Sequence, residues 1–284
     1  MVNRWLAVLA LALFSLTATA RGPGAVRKQV ETSMMLKGTI EVSSDGDVTA
    51  YVIDKADELP PGIVKFVRDN VDSWRFHPVI VDGKAVAIRN KMSVLLVAKK
   101  QAEDQYTLRL QAASFDPLEV EEARELTRKK MDPPAFPEVA VRTGVTGTVY
   151  LVLKIGRDGK VQDAIAEQVN LRIVDSENRM ERYRRWLTDA SLQAARKWEF
   201  TPPTKGEEAE APYWSVRVPV DYRFHGTPDF EVGKWEAYVP GPRQSYPWAE
   251  NEAPGYSPEA LAAGGVHMIG GNGLRLLTPL GEKS

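Results

Sequence analysis

The sequence predicts an α+β protein made of two tandem β-β-α-β domains, each a small antiparallel sheet packed on one helix. Three observations carry that prediction. The pentapeptides WRFHP (74–78) and WEFTP (198–202) stand 124 residues apart, each closing a stretch of helical periodicity. Each stretch follows an alternating apolar run interrupted by Asp-Gly, and each is succeeded by another alternating run. A period that switches from two to about 3.6 and back marks strand, helix and strand around one core.

Aligning SSDGDV (43–48) on GRDGKV (156–161) sets Leu36, Gly38, Ile40 and Val42 opposite Val149, Leu151, Leu153 and Ile155. Alternation that stops at Asp-Gly and resumes in VTAYVID or VQDAIAEQV is the signature of a hairpin with one buried face. The pairs Asp45-Gly46 and Asp158-Gly159 supply the positive φ that the turn requires. Ile63, Phe66, Val67, Asn70, Val71 and Trp74 then lie at steps of 3, 4, 7, 8 and 11, which is one helical face. Pro60 and Pro61 occupy its start, where missing N–H groups are tolerated. The same steps from Leu187 reach Ala190, Ser191, Ala194, Ala195 and Trp198. RMERYRRW (179–186) extends this second helix, with its arginines as a solvated face or as a contact for an acidic surface. AIRNKMSVLLV (87–97) and YWSVRVPVDYRF (213–224) read as the closing strands, and YTLRLQA (106–112) as a fourth strand of the first half.

Between the halves, DPLEVEEARELTRKK offers Asp116 as N-cap, Pro117 at the first position, acids early and bases late. Charge and macrodipole agree, so a linker helix is expected over 114–131. Residues 34–113 and 132–225 are then the two domains, and 226–284 a tail rich in Pro, Gly and aromatics, of a composition that favours extended, poorly cored chain. Trp235, Tyr238, Tyr246 and Trp248 argue that part of the tail docks, and 229–239 is expected to lie on an exposed sheet edge.

The first twenty residues combine Arg4, the apolar run WLAVLALALFSL and TATA before Arg21, the pattern of a cleaved secretory signal over 1–20. No integral membrane span is expected after its removal. Of 37 basic and 38 acidic residues only Arg4 lies in that segment, so the remainder carries a formal charge of −2 and no field for nucleic acid. With no cysteine there is no disulfide framework, and each unit must be stabilised by burial. His77, His225 and His267 stand alone, and no hydrolase, zinc-protease or phosphate-loop motif is present, GGNG (270–273) lacking the Lys of a phosphate loop. The expectation is therefore no catalytic residue, no metal, no cofactor and no enzyme.

Residues 134–224 resemble the C-terminal domain of TonB, the energy transducer of Gram-negative envelopes. The resemblance rests on Phe136-Pro137, Gly144 and Gly147 before the first strand, the Asp158-Gly159 hairpin, the helix ending in Trp198-x-Phe200-x-Pro202, and Val218-Pro219-Val220. Residues 34–98 look like a second, diverged copy. The family resemblance implies a periplasmic module that binds an extended segment of a partner, an outer-membrane transporter, by adding it beside the last strand. It departs from full transducers in its cleavable signal, the absence of a Ser/His pair in the apolar run, and its short linker. An uncleaved, anchored transducer is one alternative. An envelope assembly protein forming a homodimer through its sheet edges is another.

The edge strand expected to bind the partner comprises Ser215, Val216, Arg217, Val218, Pro219, Val220, Asp221 and Arg223, because proline lacks the N–H that a central strand needs. Ser215, Arg217, Asp221 and Arg223 would point outward to flank the peptide. The other reading is that Pro219 only blunts the edge against aggregation. Structural roles are expected for Trp74, Phe76, Trp198, Phe200, Gly147, Asp158 and Gly159, with the tryptophans as core rather than ligand platforms. N-terminal sequencing of the protein from the cell envelope should begin at Arg21; a start at Met1 would establish the anchored form.

Overall fold

The computed structural model describes residues 22–81, 83–102, 105–118, 122–227, 232–248, 257–261, 265–269 and 274–280. Residues 1–20, expected to be a secretory signal, and GGNG at 270–273 lie outside the described residues. The chain is mixed α+β with antiparallel sheets.

A short helix α1 (Pro23–Arg27) leads into β1 (Glu31–Val42), which turns back through β2 (Val48–Ile53). Helix α2 (Pro61–Val71) follows, then the small hairpin β3 (Val79–Val81) and β4 (Lys84–Val86), then the long strands β5 (Ile88–Ala102) and β6 (Gln105–Pro117). Strand β1 lies between β2 and β5, and β6 extends the sheet beyond β5. Met34, Leu36, Ile40 and Val42 of β1 join Met92, Val94 and Leu96 of β5 against Val67, Val71 and Trp74. In the second half β8 (Gly147–Gly156) pairs with β9 (Val161–Leu171) on one side and β11 (Tyr213–Tyr222) on the other. Helix α4 (Glu177–Ala195) covers that sheet, placing Met180, Tyr183, Leu187 and Ala195 with Val149, Leu151, Leu153 and Ile155. A short helix α3 (Glu138–Thr143) ends at Gly144, whose φ of 75° fits the left-handed position past a helix end.

The repeated pentapeptides hold the turn of each hairpin. Gly46 and Gly159 have φ of 89° and 76°. The N–H of Phe76 donates to the Gly46 carbonyl at 2.8 Å, and that of Phe200 to the Gly159 carbonyl at 2.8 Å. A Cβ on either glycine would stand 2.0 or 2.1 Å from the facing phenylalanine carbonyl oxygen, so the residue must lack one. Trp74, Phe76, Trp198 and Phe200 are all buried, and the Trp198 indole N–H donates to the Asp132 carbonyl at 2.7 Å.

The linker helix expected over 114–131 is not formed. Strand β6 continues alongside β5 to Pro117, and Phe115 packs edge-on against Trp74 and Phe76 with ring centroids 5.5 and 5.0 Å away. A single 3₁₀ turn (Glu122–Arg124) precedes β7 (Thr127–Lys130), which pairs with β10 (Glu199–Thr201), and Leu126 is buried in the second core. The helical reading left a thin apolar face, whereas the ladder to β10 satisfies the backbone and buries Leu126.

The tail is also more structured than its composition suggests. Strand β12 (Trp235–Tyr238) pairs with the start of β1, from Glu31↔Tyr238 to Met34↔Trp235. Val239 and Leu171 exchange both backbone hydrogen bonds, at 2.7 and 3.1 Å, so the chain passes from the first sheet to the edge of β9 in one step. Strand β13 (His267–Met268) lies on β11, and Leu274 and Leu276 return to the first core. Thus 229–239 does meet a sheet edge in its described part, but the edge is that of β1. With Val26 of α1 buried in the second core, α1 and the described tail segments tie the halves together.

The helix-distal faces of the two sheets confront each other across a layer containing β12 and the turn Pro258–Ala260. Trp198→Ala should lower unfolding free energy by about 3–5 kcal/mol, measured by urea denaturation; an unchanged midpoint would contradict its core role.

Candidate partner-binding edge and the polar layer behind it

Strand β11 has two distinct faces. Trp214, Val216, Val218, Val220 and Tyr222 point into the α4 core, where the Tyr222 hydroxyl and Ser191 Oγ are 2.8 Å apart. The odd-numbered residues face the first sheet. The Ser215 carbonyl accepts the Ile269 N–H at 2.8 Å, away from β8. The register with β8 is unbroken from Tyr213 to Tyr222, so Arg217, Pro219 and Asp221 share that outward backbone direction. Pro219, opposite Tyr150, therefore removes no bond from the ladder to β8.

This edge already carries a strand of its own chain. His267 pairs with Arg217 and Met268 with Val216, while Val266 and Met268 pack against the core beneath. The segment on this edge is 265–269, whereas 229–239, expected on an exposed sheet edge, pairs in its described part with β1.

The side chains expected to flank an incoming peptide are drawn inward. Arg217 is 2% exposed and donates to both carboxylate oxygens of Glu167, at 2.7 and 3.2 Å. Arg243 of the tail reaches the same carboxylate at 2.6 Å. Asp221 accepts from Thr148 at 2.8 Å and Arg172 at 2.7 Å, and also from Arg223. Glu236 of β12 closes the ring, 3.1 Å from Arg172 and 2.8 Å from Arg223. Ser215 is half-buried, and Val216, Val218, Pro219 and Val220 are buried. The inward turn of these charges has a simple cause. A second sheet lies over the face that a lone domain would present to water, and charges there need partners.

No local sequence signal marks the residues that answer these charges. Glu167 sits where the β8–β9 register shifts, between Tyr150↔Gln168 and Leu151↔Ala166. A bulge of this kind re-aims one side chain, here toward Arg217. Glu259 accepts from Gln168 at 3.1 Å, from Gln111 of β6 at 3.4 Å, and from Asn170 and Ser257, so it bridges the two sheets. Burial pushes its carboxyl above the ordinary 4.5, opposed by the Asn170 hydrogen bond and assisted by Glu31. Glu31 is held by Arg109 at 2.9 Å and by the Tyr238 hydroxyl at 3.2 Å. Between the sheets remains a cavity of about 480 Å³, with Ser33, Met35, Lys37, Ser93 and Leu95 on one wall and Tyr150 and Pro219 on the other. Among the described residues no group of acidic or histidine side chains is arranged to hold a metal, and no helix is long and apolar enough to cross a membrane.

Residues 132–224, from the Asp132 whose carbonyl meets the Trp198 indole to two residues past β11, match the family described as Gram-negative bacterial TonB protein C-terminal. This segment, about a third of the chain, is similar to the TonB C-terminal family. Two curated relatives, each named Protein TonB and from two strains of Xanthomonas campestris pv. campestris, are 34% identical to this chain over 99 residues. That alignment covers 34% of this chain and 38% of theirs, so the chain spans well under half the length of these TonB relatives. The solution NMR structure of the Pseudomonas aeruginosa TonB C-terminal domain is 20% identical, with 39% of this chain and 95% of that chain covered and a TM-score of 0.24.

Two predictions follow from the polar layer of this domain. Glu167→Ala removes the buried carboxylate that Arg217 and Arg243 share and should destabilise by about 3–5 kcal/mol, whereas Glu167→Met with Arg217→Met should recover most of it; urea unfolding separates the two. A carboxyl raised in the folded state contributes stability that is full below its unfolded value and lost as pH rises through the folded one. Glu259→Gln should accordingly remove part of the decline in wild-type stability from pH 4.5 upward; parallel pH profiles would contradict the assignment.

Proposed function

We propose that the protein is a non-enzymatic periplasmic module of the Gram-negative envelope that binds extended segments of outer-membrane transporters by strand addition along β11. The observation that carries this reading is the edge itself. Within a segment similar to the TonB C-terminal domain, β11 turns the backbone of Ser215, Arg217, Pro219 and Asp221 outward and accepts a strand there, since His267 already pairs with Arg217 and the Ile269 N–H with the Ser215 carbonyl. About five backbone bonds at roughly 0.5–1.5 kcal/mol each give a gross gain of about 3–7 kcal/mol, reduced by ordering the peptide. Exchange with a two-residue strand of the same chain is therefore energetically accessible.

We further propose that residues 34–113 are a diverged copy of the domain in 132–225. The order β2-β1-β5 parallels β9-β8-β11, and the Gly46–Phe76 contact parallels Gly159–Phe200. The first copy would be an architectural partner, its long β5 and β6 forming the surface against which the binding domain rests.

Peptides spanning the periplasmic N-terminal segments of the transporters of the same bacterium, labelled for fluorescence polarisation, test the binding proposal. Ile269→Pro removes the bond to Ser215 and should tighten binding several-fold. Methylating alternate backbone nitrogens of the peptide should abolish binding in one phase and spare it in the other. Equal loss in both phases, or weaker binding to Ile269→Pro, would place the site elsewhere.

A further inference from the structure

We propose that the space between the two sheets is a binding site for a small monocarboxylate with an apolar body. The cavity of about 480 Å³ is in the size range of small-molecule sites. One wall is ordered by the β1–β5 register, in which Lys37 lies opposite Ser93 and Met35 opposite Leu95. A cationic, hydroxylated pair thus adjoins an apolar pair on one face, two residues or about 7 Å along the strands.

One buried donor in this space lacks an answer. Ser33 on one wall and Tyr150 on the other are each 8% exposed and line the cavity, and among the described residues the buried Arg172 Nη1 of the same lining has no hydrogen-bond partner. A buried donor left in this condition is unfavourable unless a guest or water meets it. Burial holds the Tyr150 phenol well above its ordinary range, so it remains a donor.

The balance of charge selects the guest. Arg172 and Arg223 are matched by Asp221 and Glu236, a ring that is neutral in itself. Lys37, exposed at the mouth, has no ion-pair partner among the described residues. One negative charge is met locally at Lys37, while the lining as a whole, Lys37, Arg172 and Arg223 against Asp221, Glu236 and Glu259, is formally neutral and a polyanion would confront its carboxylates. A carboxylate at Lys37 and Ser93 lays its stem across Met35 and Leu95 toward Leu261, and its length decides whether it reaches Ser33 and Tyr150. This inference is independent of strand addition at β11.

Calorimetric titration of the full chain with octanoate, and with octanol as a neutral counterpart, tests it. Octanoate should bind saturably at one site. Lys37→Met should weaken octanoate about tenfold and leave octanol unchanged, and Leu95→Trp should fill the cavity and abolish both. Absence of saturable octanoate binding, equal affinity in Lys37→Met, or binding retained by Leu95→Trp would each overturn the proposal. If Leu95→Trp loses its circular dichroism signature of folding, the exposed Lys37→Met decides alone.

Discussion

The rest of the structure depends on the backbone pairing of the tail. Residues 235–239 run from β1 to β9, 267–269 lie along β11, and 275–277 hydrogen-bond with 75–77 after α2. Each contact covers backbone that would otherwise be an open ladder, a template for association with other chains. Because the same strip pairs with both sheets, neither sheet can move far without breaking ladder bonds. The segment that composition marks as least able to fold becomes the one that joins the halves, since its hydrogen-bond partners come from elsewhere in the chain.

A polar layer follows from that clamp. Once two sheets face each other, the non-helical face of each is removed from water, and its side chains must be apolar or paired. Met35, Leu95, Val97 and Ala112 satisfy the first condition. The groups around Glu167, Glu31, Glu236 and Glu259 satisfy the second. Buried ion pairs add little net stability relative to apolar packing, but breaking one partner is severe. They reward one alignment of the sheets over its neighbours, since Glu236 must meet Arg172 and Arg223 together. Strand β11 is in consequence both the edge with an outward backbone and a wall of this layer. Its outward-directed backbone and inward-held charges would make recognition there chiefly a matter of main-chain bonds.

What was legible in the sequence was local. The Asp-Gly turns, the helical steps from Ile63 and Leu187, and the tryptophans that close them are fixed by neighbours a few residues away, and each appears where its period indicated. The segment 114–131 misled because its capping and charge order are real helix signals, overridden by a ladder to Glu199–Thr201 some 70 residues later. The same holds for the edge. Alternation correctly separated Val216, Val218 and Val220 from Arg217 and Asp221, but could not reveal that a second sheet would lie over the polar face. A bulge at Glu167 and a bridge through Glu259 leave no periodic trace at all.

The clamp turns two sheets with separate cores into one cooperative unit, and equilibrium unfolding tests this most directly. Amide exchange in increasing urea, followed separately for β1–β5 and for β8–β11, should report one shared midpoint and one shared slope, with β12 and β13 losing protection together with them. Two resolved transitions, in which either sheet keeps its protection after the other has unfolded, would contradict the account.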